Sequence, residues 1–222
     1  MSEAVPVIAI DGPSASGKGT VAEKVAQALG FRYLDSGALY RLVTLAAINA
    51  SADLGDEAAL ARIAAQMQFD FRDGKTWLEG RDVTADLRAE AVSAAASRVA
   101  AHPVVRNALL GRQRGFRTPP GLVADGRDMG SVVFPDAPLK VFLTADVAAR
   151  AERRYKQLME KGMYAKMSDV VEELRRRDER DTSRPVAPLK HYPDAIFLDT
   201  TGLTADQAAQ TILGRWREKA SR

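Results

Sequence analysis

"VIAIDGPSASGKGT", residues 7–20, is the stretch of this sequence that decides the fold. Its opening apolar run ends in an acid, Asp11, which is typical of a buried strand. A glycine-rich turn follows, and after it Val21, Val25 and Leu29 recur at the spacing of one helix face. The stretch therefore predicts a strand, a loop and a helix in direct succession.

The loop has the composition of a phosphate-binding loop. Its glycines can adopt backbone conformations that residues with a Cβ rarely adopt, so successive N–H groups can converge on an anion at the helix N-terminus. An ordinary strand-to-helix turn is the alternative, but it leaves the spacing of lysine and hydroxyl unexplained. We therefore predict that nucleotide phosphates are held by Gly12, Pro13, Ser14, Ala15, Ser16, Gly17, Lys18, Gly19 and Thr20.

The position of the hydroxyl narrows the class. The general pattern puts Ser or Thr directly after the lysine, where it can ligate magnesium, whereas here Gly19 separates Lys18 from Thr20. The Gly-Lys-Gly-Thr form resembles that of nucleoside monophosphate kinases. We expect Thr20 to contact phosphate and Mg²⁺ to be held largely through water, and we assign no direct metal ligand.

Composition limits the class of protein. A chain of 222 residues can bury one substantial core, and we predict a single domain. The absence of cysteine excludes disulfides, a thiolate zinc site and a cysteine nucleophile. We find neither an export signal nor an apolar run approaching the ~18 residues of a membrane span, and so we predict a cytoplasmic protein.

The charge distribution argues against nucleic acid as the main partner. The formal net charge is +3, and residues 150–190 carry four more basic than acidic residues. Arginine and aspartate alternate there instead of forming a stripe of one sign, and aromatic residues make up only 6% of the chain. We therefore expect neither a nucleic-acid nor a membrane partner.

The second strand is predicted at 31–35, after Gly30, which we expect to cap the first helix at its C-terminus. Ser36 is then predicted to cap the next helix. Ser36 and Arg41 would lie near the carboxyl end of a parallel strand, where ligands of open α/β sheets bind. The alternative is an ordinary N-cap followed by a solvated arginine.

A second, short helix is predicted up to residue 66. After it, the spacing of apolar residues changes from that of a helix to the alternation of a strand. Residues 67–84 alternate in short extended pieces around the hairpin signal Asp73-Gly74, which predicts a small antiparallel sheet. We expect Phe69, Phe71 and Trp77 to form its packing face and not a base-stacking platform.

Residues 87–117 are predicted to be helical with a break at His102-Pro103. The two histidines, at 102 and 191, have no partners at ligand spacing, which disfavours a histidine metal site. Sequence alone predicts a solvated face for a series of four basic residues, Arg106, Arg112, Arg114 and Arg117.

Three further strands are predicted at 121–125, 139–143 and 195–199, with a closing helix at 204–219. The first of them ends in Asp125, at the position where such folds place a metal-side carboxylate, and leads into Arg127 and Asp128. The alternative for these two neighbours is a salt bridge within a polar loop.

The region from 150 to 188 is predicted to be a helical lid. One helix, at 146–160, carries Arg150, Arg153 and Arg154, and a second begins at Ser168 and leads into Arg177-Asp178-Glu179-Arg180-Asp181-Thr182-Ser183-Arg184. Such crowded arginines and acids suggest a lid that closes over polyphosphate. A surface helix with mutual salt bridges is the alternative.

Taken together, four segments resemble the bacterial cytidylate kinase family: the loop, Asp-Ser-Gly-Ala-Leu-Tyr-Arg at 35–41, Asp-Gly-Arg-Asp-Met-Gly at 125–130 and the arginine-rich run at 177–184. The resemblance extends over essentially the whole chain. It implies a three-layer α/β P-loop fold with a five-stranded parallel sheet flanked by helices. It also implies a core at 1–35, 119–149 and 189–222, an acceptor-binding insertion with a small antiparallel sheet at 36–118, and a helical lid at 150–188.

The resemblance further implies transfer of the ATP γ-phosphoryl group to CMP or dCMP with Mg²⁺, by a monomer. It assigns catalytic roles to Lys18, Arg41, Arg127 and Arg177. Ser36, Arg41 and Arg127 would hold the acceptor phosphate, and Ser97, Arg106 and Asp128 would face the cytosine. Arg177 and Asp181 would take the sugar hydroxyls, with Arg184 approaching from the lid.

Other functions remain open at this point. The first alternative is another small P-loop kinase, of the UMP or AMP type or acting on dephospho-coenzyme A. From different classes come a nucleotide-gated switch, for which the chain has no guanine-reading Asn-Lys-x-Asp motif, and a nucleic-acid-binding module.

Overall fold

The structure is a computed structural model, and it describes residues 4–220. The chain divides into two compact units. The core unit comprises the residues up to Leu34 and those from Phe116 onward, and the inserted unit comprises Asp35–Gly115. Within the described residues, no helix combines the length and the apolar character needed to cross a bilayer.

Within residues 4–220 the chain forms eight strands and eight α-helices, numbered in chain order. The strands are β1 Val7–Asp11, β2 Arg32–Asp35, β3 Phe69–Arg72, β4 Lys75–Leu78, β5 Arg81–Asp82, β6 Leu122–Gly126, β7 Leu139–Thr144 and β8 Ile196–Asp199. The helices are α1 Lys18–Leu29, α2 Ser36–Asn49, α3 Glu57–Gln66, α4 Glu90–Val99, α5 Pro103–Arg114, α6 Val147–Glu160, α7 Met167–Ser183 and α8 Ala205–Ala220.

The core unit is built on a five-stranded sheet in the order β2-β6-β1-β7-β8. Strand β1 lies in the middle and pairs in parallel with both β6 and β7, and β7 pairs in parallel with β8. All five residues of β1 are buried, which explains why its sequence is a continuous apolar run. The predicted α/β fold is confirmed, and the phosphate loop leaves the carboxyl end of the central strand.

Helices α1 and α8 cover one face of this sheet. Val21 and Val25 of α1 pack with Ile212 of α8 against apolar side chains of β1, β6 and β7. Helix α1 ends at Gly30, whose φ of 66° lies in the left-handed region and whose N–H bonds to the last carbonyls of the helix. The predicted C-cap is therefore confirmed.

Close contact with β7 requires glycine at the start of the phosphate loop. A Cβ built on Gly12 would lie 1.9 Å from the backbone oxygen of Leu143, closer than any two such atoms can approach. The loop therefore passes directly against the neighbouring strand, and this contact fixes its height above the sheet.

The three-stranded sheet β3-β4-β5 of the inserted unit confirms the predicted small antiparallel sheet, but its aromatic residues do not share one face. Phe69 pairs with Leu78 and Phe71 with Thr76, whereas Trp77 pairs with Asp70. Directly paired residues share a face and neighbouring residues alternate, so Trp77 lies on the face opposite the two phenylalanines. The expected single aromatic packing face is wrong, and Trp77 instead packs under the guanidinium of Arg72, 4.6 Å from its ring centroid.

The predicted solvated face is only partly correct: Arg114 of α5 is exposed, whereas Arg106 and Arg112 of the same helix contact protein groups. Arg106 is buried, and Arg112 donates to the backbone oxygens of Ala64 (2.9 Å) and Met67 (2.7 Å). These are carbonyls at the C-terminal end of α3, which no helical N–H can reach. The arginine therefore completes a helix end, a role that charge spacing alone does not reveal.

Helices α6 and α7 form a hairpin in the core unit. Ala151 and Leu158 of α6 pack with Val170 and Leu174 of α7. Helix α7 continues to Ser183, so the arginine-rich run that was expected to follow the helix is mostly helical itself. As a result, Asp178 and Asp181 lie about one turn apart on the same helix.

Gly12 offers a direct test of the packing argument. Gly12→Ala should lower the free energy of unfolding by about 2 kcal/mol or more, because the methyl group meets backbone and not a flexible side chain. Urea denaturation followed by circular dichroism would measure it. The matched control is Gly214→Ala in α8, where a Cβ meets nothing within 4 Å and should stabilise the protein by about 0.5–1 kcal/mol. A harmless Gly12→Ala would contradict the described contact.

Candidate functional site

The phosphate loop holds an unusual backbone conformation. Gly17, the N-cap of α1, has φ 89°, and Ala15 has φ 57°, although it carries a Cβ. Within the described residues, no backbone carbonyl accepts a hydrogen bond from the N–H groups of residues 14–17. Together with the first turn of α1, these groups form the kind of concave N–H array that binds phosphate.

The carbonyls of the loop are held from the other side. The oxygen of Pro13 accepts from Ser16 Oγ (3.0 Å) and Lys18 Nζ (3.3 Å). The oxygens of Ser14 and Ser16 accept from arginines of α6, and that of Ser16 also accepts from Thr200 Oγ1 (3.1 Å). Fixed carbonyls keep the intervening N–H groups turned the other way, which preorganises the loop for an anion.

A cavity of about 190 Å³ lies beside the loop. Its walls include Gly17 and Thr20 on the loop side and Arg153, Gln157 and Thr200 opposite. Gln157 and Thr200 were not among the residues predicted for the site. They lie far from the loop in sequence and carry no motif, so only the sheet topology brings them to this position.

Asp11 joins the loop to the segment that carries Arg127 and Asp128. Its buried carboxylate accepts from the backbone N–H groups of Met129 (2.8 Å) and Gly130 (2.9 Å), and from the hydroxyl of Tyr192. Burial raises the pKa of Asp11, while the three donated hydrogen bonds oppose that rise. The acid that ends β1 in the sequence is therefore a structural anchor.

Arg127 is shared between the phosphate loop and α7. Its Nη2 donates to Ser14 Oγ (2.8 Å), and its Nε donates to Asp181 Oδ2 (2.6 Å). The arginine and the carboxylate are both mostly buried, with side chains 16% and 11% exposed. Arg127, which was predicted to bind the acceptor phosphate, thus lies directly against the loop that was predicted to bind ATP.

Asp181 is the anion at the centre of several cations. Burial opposes its ionisation, but Arg127, Arg177 and Arg184 outweigh that effect and hold the pKa of Asp181 below its ordinary value. Arg184 is buried and also lies 3.9 Å from the carboxylate of Asp128. The core unit therefore brings all five predicted acceptor residues from 127 onward into one cluster: Arg127, Asp128, Arg177, Asp181 and Arg184.

The predicted metal-side carboxylate is engaged by a tyrosine. Asp125 is buried, and its Oδ1 accepts from Tyr33 Oη at 2.7 Å. Among residues 4–220, no group of three or more histidine, cysteine, aspartate or glutamate side chains could hold a metal ion.

In the inserted unit, the start of α2 corrects one prediction. The cap is Asp35 and not Ser36: Asp35 Oδ1 accepts from the N–H of Ala38 (3.1 Å), and Oδ2 accepts from Arg41 (2.6 Å). Ser36 is the first helical residue and is buried. A Cβ on Gly37 would lie 3.0 Å from Asp35 and 3.2 Å from Arg41, so glycine leaves room for the ion pair.

The same unit contains the remaining two predicted base-facing residues. Ser97 is buried on α4, and Arg106 is buried on α5. Arg106 donates to the carbonyl of Ala100 (3.1 Å), and its guanidinium lies 5.5 Å from the ring centroid of Tyr40. A cation held over an aromatic face in this way has a fixed orientation.

Two arginines of the expected lid, Arg150 and Arg153, bind protein oxygens. Arg150 is 4% exposed and binds Asp178 through both carboxylate oxygens. Arg153 donates to the carbonyls of Ser16 and Thr200. Protein oxygens therefore engage both arginines in this structure. Closure of the 150–188 region over polyphosphate stays a prediction.

The sequence is similar to those of known proteins over nearly its whole length. A family model described as cytidylate kinase matches residues 8–218. The cytidylate kinase of Nitrosomonas europaea is 57% identical over 214 residues, covering 96% of both chains. That of Chromobacterium violaceum is 58% identical over 215 residues and 97% of both chains.

Among solved structures, a gluconokinase from Sinorhizobium meliloti superposes with a TM-score of 0.50. Its sequence identity is 16%, and the match covers 97% of this chain and 95% of the gluconokinase. At this identity the likeness concerns the fold alone, and it agrees with the P-loop kinase architecture described above.

The electrostatics of Asp181 predict a pH-dependent stability. Its pKa is lowered in the folded state, so its contribution is complete above the unfolded value near 3.9 and is lost as the pH falls through the folded value. Asp181→Asn should therefore lower the free energy of unfolding by about 1–3 kcal/mol at pH 7. Urea denaturation at a series of pH values down to about 2.5 would show the difference shrinking.

The control for this series is Glu23→Gln, which neutralises an exposed carboxylate on α1. It should shift the unfolding free energy by less than about 0.5 kcal/mol at any pH. An Asp181→Asn variant as stable as wild type at pH 7 would mean that the carboxylate does not offset the charge of the arginines around it.

Proposed function

The chain belongs to the cytidylate kinase family, and on that premise we propose that it transfers the γ-phosphoryl group of ATP to CMP and dCMP. The observation that carries the proposal is the family match over residues 8–218, supported by relatives more than half identical along nearly the full chain. It favours this reading over the alternatives from sequence analysis: a kinase for another acceptor, a nucleotide switch and a nucleic-acid module.

ATP would occupy the phosphate loop. The N–H groups of residues 14–17 and the start of α1 would bind its phosphates, and Lys18 would exchange the Pro13 carbonyl for the transferring phosphoryl group. The cavity beside Gly17 would take the base and sugar, since it opens directly beside the loop. Thr20, at the rim of that cavity, would contact phosphate.

Magnesium would enter with the nucleotide. We assign it no direct protein ligand: Thr20 would contact phosphate, and the carboxylate of Asp125 is already engaged by Tyr33. This fits an ion held mainly by phosphate oxygens and water, with the protein contacting its hydration shell. When bound, the ion would neutralise charge on the phosphates.

The acceptor would be held by the residues that the family resemblance assigns to it. Ser36, Arg41 and Arg127 would bind its phosphate, and Ser97, Arg106 and Asp128 would contact the cytosine. Arg177 and Asp181 would bind the sugar hydroxyls, with Arg184 beside them. The proposal is supported by the burial of Ser36, Ser97, Arg106, Asp128, Asp181 and Arg184, since buried polar groups around a site are held in fixed orientations.

The reaction then requires positioning and charge neutralisation. The acceptor oxygen is already an anion at neutral pH, so no side chain needs to act as nucleophile or general base. In-line transfer brings two polyanions together, and Lys18, Arg41 and Arg127 would offset their repulsion. Assembly of these cations around bound substrates would also keep water from the phosphoryl group.

Cytosine selection would depend on Asp128. Cytosine presents an amino donor where uracil presents an oxygen acceptor, so a carboxylate pairs with the first and repels the second. Asp128 is 4% exposed, and at that depth water screens the repulsion between its carboxylate and the uracil oxygen only weakly. The site would therefore prefer CMP over UMP.

Two further points are part of the proposal. We propose that the protein acts as a monomer, since the residues assigned to both nucleotides come from one chain. We also retain the division into a core at 1–35, 119–149 and 189–222, an acceptor-binding insertion at 36–118 and a lid at 150–188.

An acceptor panel tests the activity. ADP release from ATP should be fast with CMP and dCMP, slower with UMP, and near background with AMP, dTMP and dephospho-coenzyme A. A coupled assay at fixed ATP and Mg²⁺ would measure the rates, with an acceptor-free reaction as the control. Preference for any of the last three acceptors would refute the cytidylate assignment.

Asp128→Ala tests base recognition separately. The variant should narrow the ratio of kcat/KM for CMP over UMP by about tenfold to a hundredfold while leaving the KM for ATP close to wild type. The contrasting variant is Lys18→Ala, which should lose turnover with both acceptors and leave their ratio unchanged. An unaltered ratio in Asp128→Ala would remove this residue from base recognition.

A further inference from the structure

The hydroxyl and the backbone oxygen of Ser14 are bound by two different arginines. Its hydroxyl accepts from Arg127, and its backbone oxygen accepts from Arg150 Nη1 at 3.2 Å. The next residue is Ala15, whose φ of 57° is unfavourable for a side chain with a Cβ. The Ser14 carbonyl belongs to the peptide that enters this strained residue, so the bond from Arg150 helps to hold the loop in its phosphate-binding conformation.

Arg150 is occupied entirely by protein groups. Its Nε donates to the carbonyl of Ala145 (3.0 Å), and Nη1 and Nη2 donate to the two carboxylate oxygens of Asp178 (3.1 and 2.7 Å). The arginine is 4% exposed. A planar guanidinium in a bidentate pair, with a third group on Nε, has one orientation, and a lysine cannot reproduce it.

Asp178 places this pair on the helix that carries other site residues. It precedes Asp181, which binds Arg127, by about one turn of α7, and it directly follows Arg177. Two arginine–carboxylate pairs thus connect α7 to the single residue Ser14. One of them uses Arg127 and Asp181, which we assign to substrate, and the other uses neither of these residues.

We propose that Arg150 and Asp178 are positioning residues for phosphoryl transfer, which fix the 14–15 peptide of the phosphate loop and the rotation of α7 next to Arg177. This inference rests on the proposed function. Neither residue would touch a nucleotide. Their effect would be to hold the loop N–H groups and Arg177 at the geometry that the transition state requires, where displacements of about 1 Å can cost a hundredfold in rate.

The test compares Arg150→Lys, Arg150→Gln and Asp178→Asn. We expect each variant to lower kcat at least tenfold, with KM for CMP and ATP changed less than threefold, because the interaction lost is one that orients groups in the transition state. Arg150→Lys should be as impaired as Arg150→Gln, since the fork and not the charge is needed. The Arg150→Lys/Asp178→Asn double variant should be no slower than the slower single variant.

The opposite results would overturn the proposal. If Arg150 acted by its charge on a phosphate, Arg150→Lys would keep most of the activity, and Asp178→Asn would not reduce it. Multiplicative losses in the double variant would mean that the two residues act independently. Wild-type kcat in all variants would mean that the pair does not position the site.

A matched control separates positioning from loss of folded protein. Lys140 and Asp194 form another ion pair of the core unit, at 2.6 Å, with a buried lysine. Asp194→Asn should leave kcat unchanged, and rates of every variant would be scaled to the folded fraction measured by urea denaturation. If scaling removes the loss in Arg150→Lys and Asp178→Asn, the pair is merely structural.

Failure of this inference and failure of the proposed function are distinguishable. Wild-type protein that forms no CDP from CMP would refute the function. Active wild-type protein with fully active variants would refute only the role of Arg150 and Asp178.

Discussion

A phosphate loop that turns its N–H groups toward an anion must turn its carbonyls the other way, and those carbonyls need donors. For the carbonyls of Ser14 and Ser16, the donors are Arg150 and Arg153 of α6 and the hydroxyl of Thr200 after β8. Much of the core unit follows from this need. It explains why α6 begins close to the loop, why arginines stand one turn apart on it, and why the chain segment after β8 returns to the same place.

The arginines drawn to the site create a second need, since buried cations require counterions. Helix α7 supplies two of these, Asp178 and Asp181, which pair with Arg150 and Arg127 respectively. The two pairs differ in what they face. The first is enclosed by protein atoms, whereas the second joins groups that we assign to the acceptor. A carboxylate in that position offsets the positive charge of Arg127, Arg177 and Arg184.

Local sequence was enough to predict the features that depend on neighbouring residues. The buried strand β1, the glycine-rich turn and the Gly30 cap follow from patterns of a few residues, and the family resemblance rested on four short segments. The fold class implied by that resemblance was correct, and the alternation of predicted strands and helices agrees with a parallel sheet.

Features that depend on distant partners were missed or misjudged. Arg150 and Asp178 are 28 residues apart, and Thr200 lies 184 residues from Ser16, so no spacing rule relates them. Arg112 was expected in solvent because its role depends on the end of α3. Trp77 shows another limit: strand register decides its face, and alternation within one strand does not reveal how two strands align.

Asp11 has a consequence for redesign. One carboxylate fixes the peptide groups of Met129 and Gly130 and the phenol of Tyr192, so the base of the phosphate loop and the segment that carries Arg127 and Asp128 share an anchor. A chimera that received this segment from another kinase would fit only if the recipient kept an acid at position 11 and a hydroxyl at 192. The segment after β6 is therefore not a module that can be exchanged without its two distant partners.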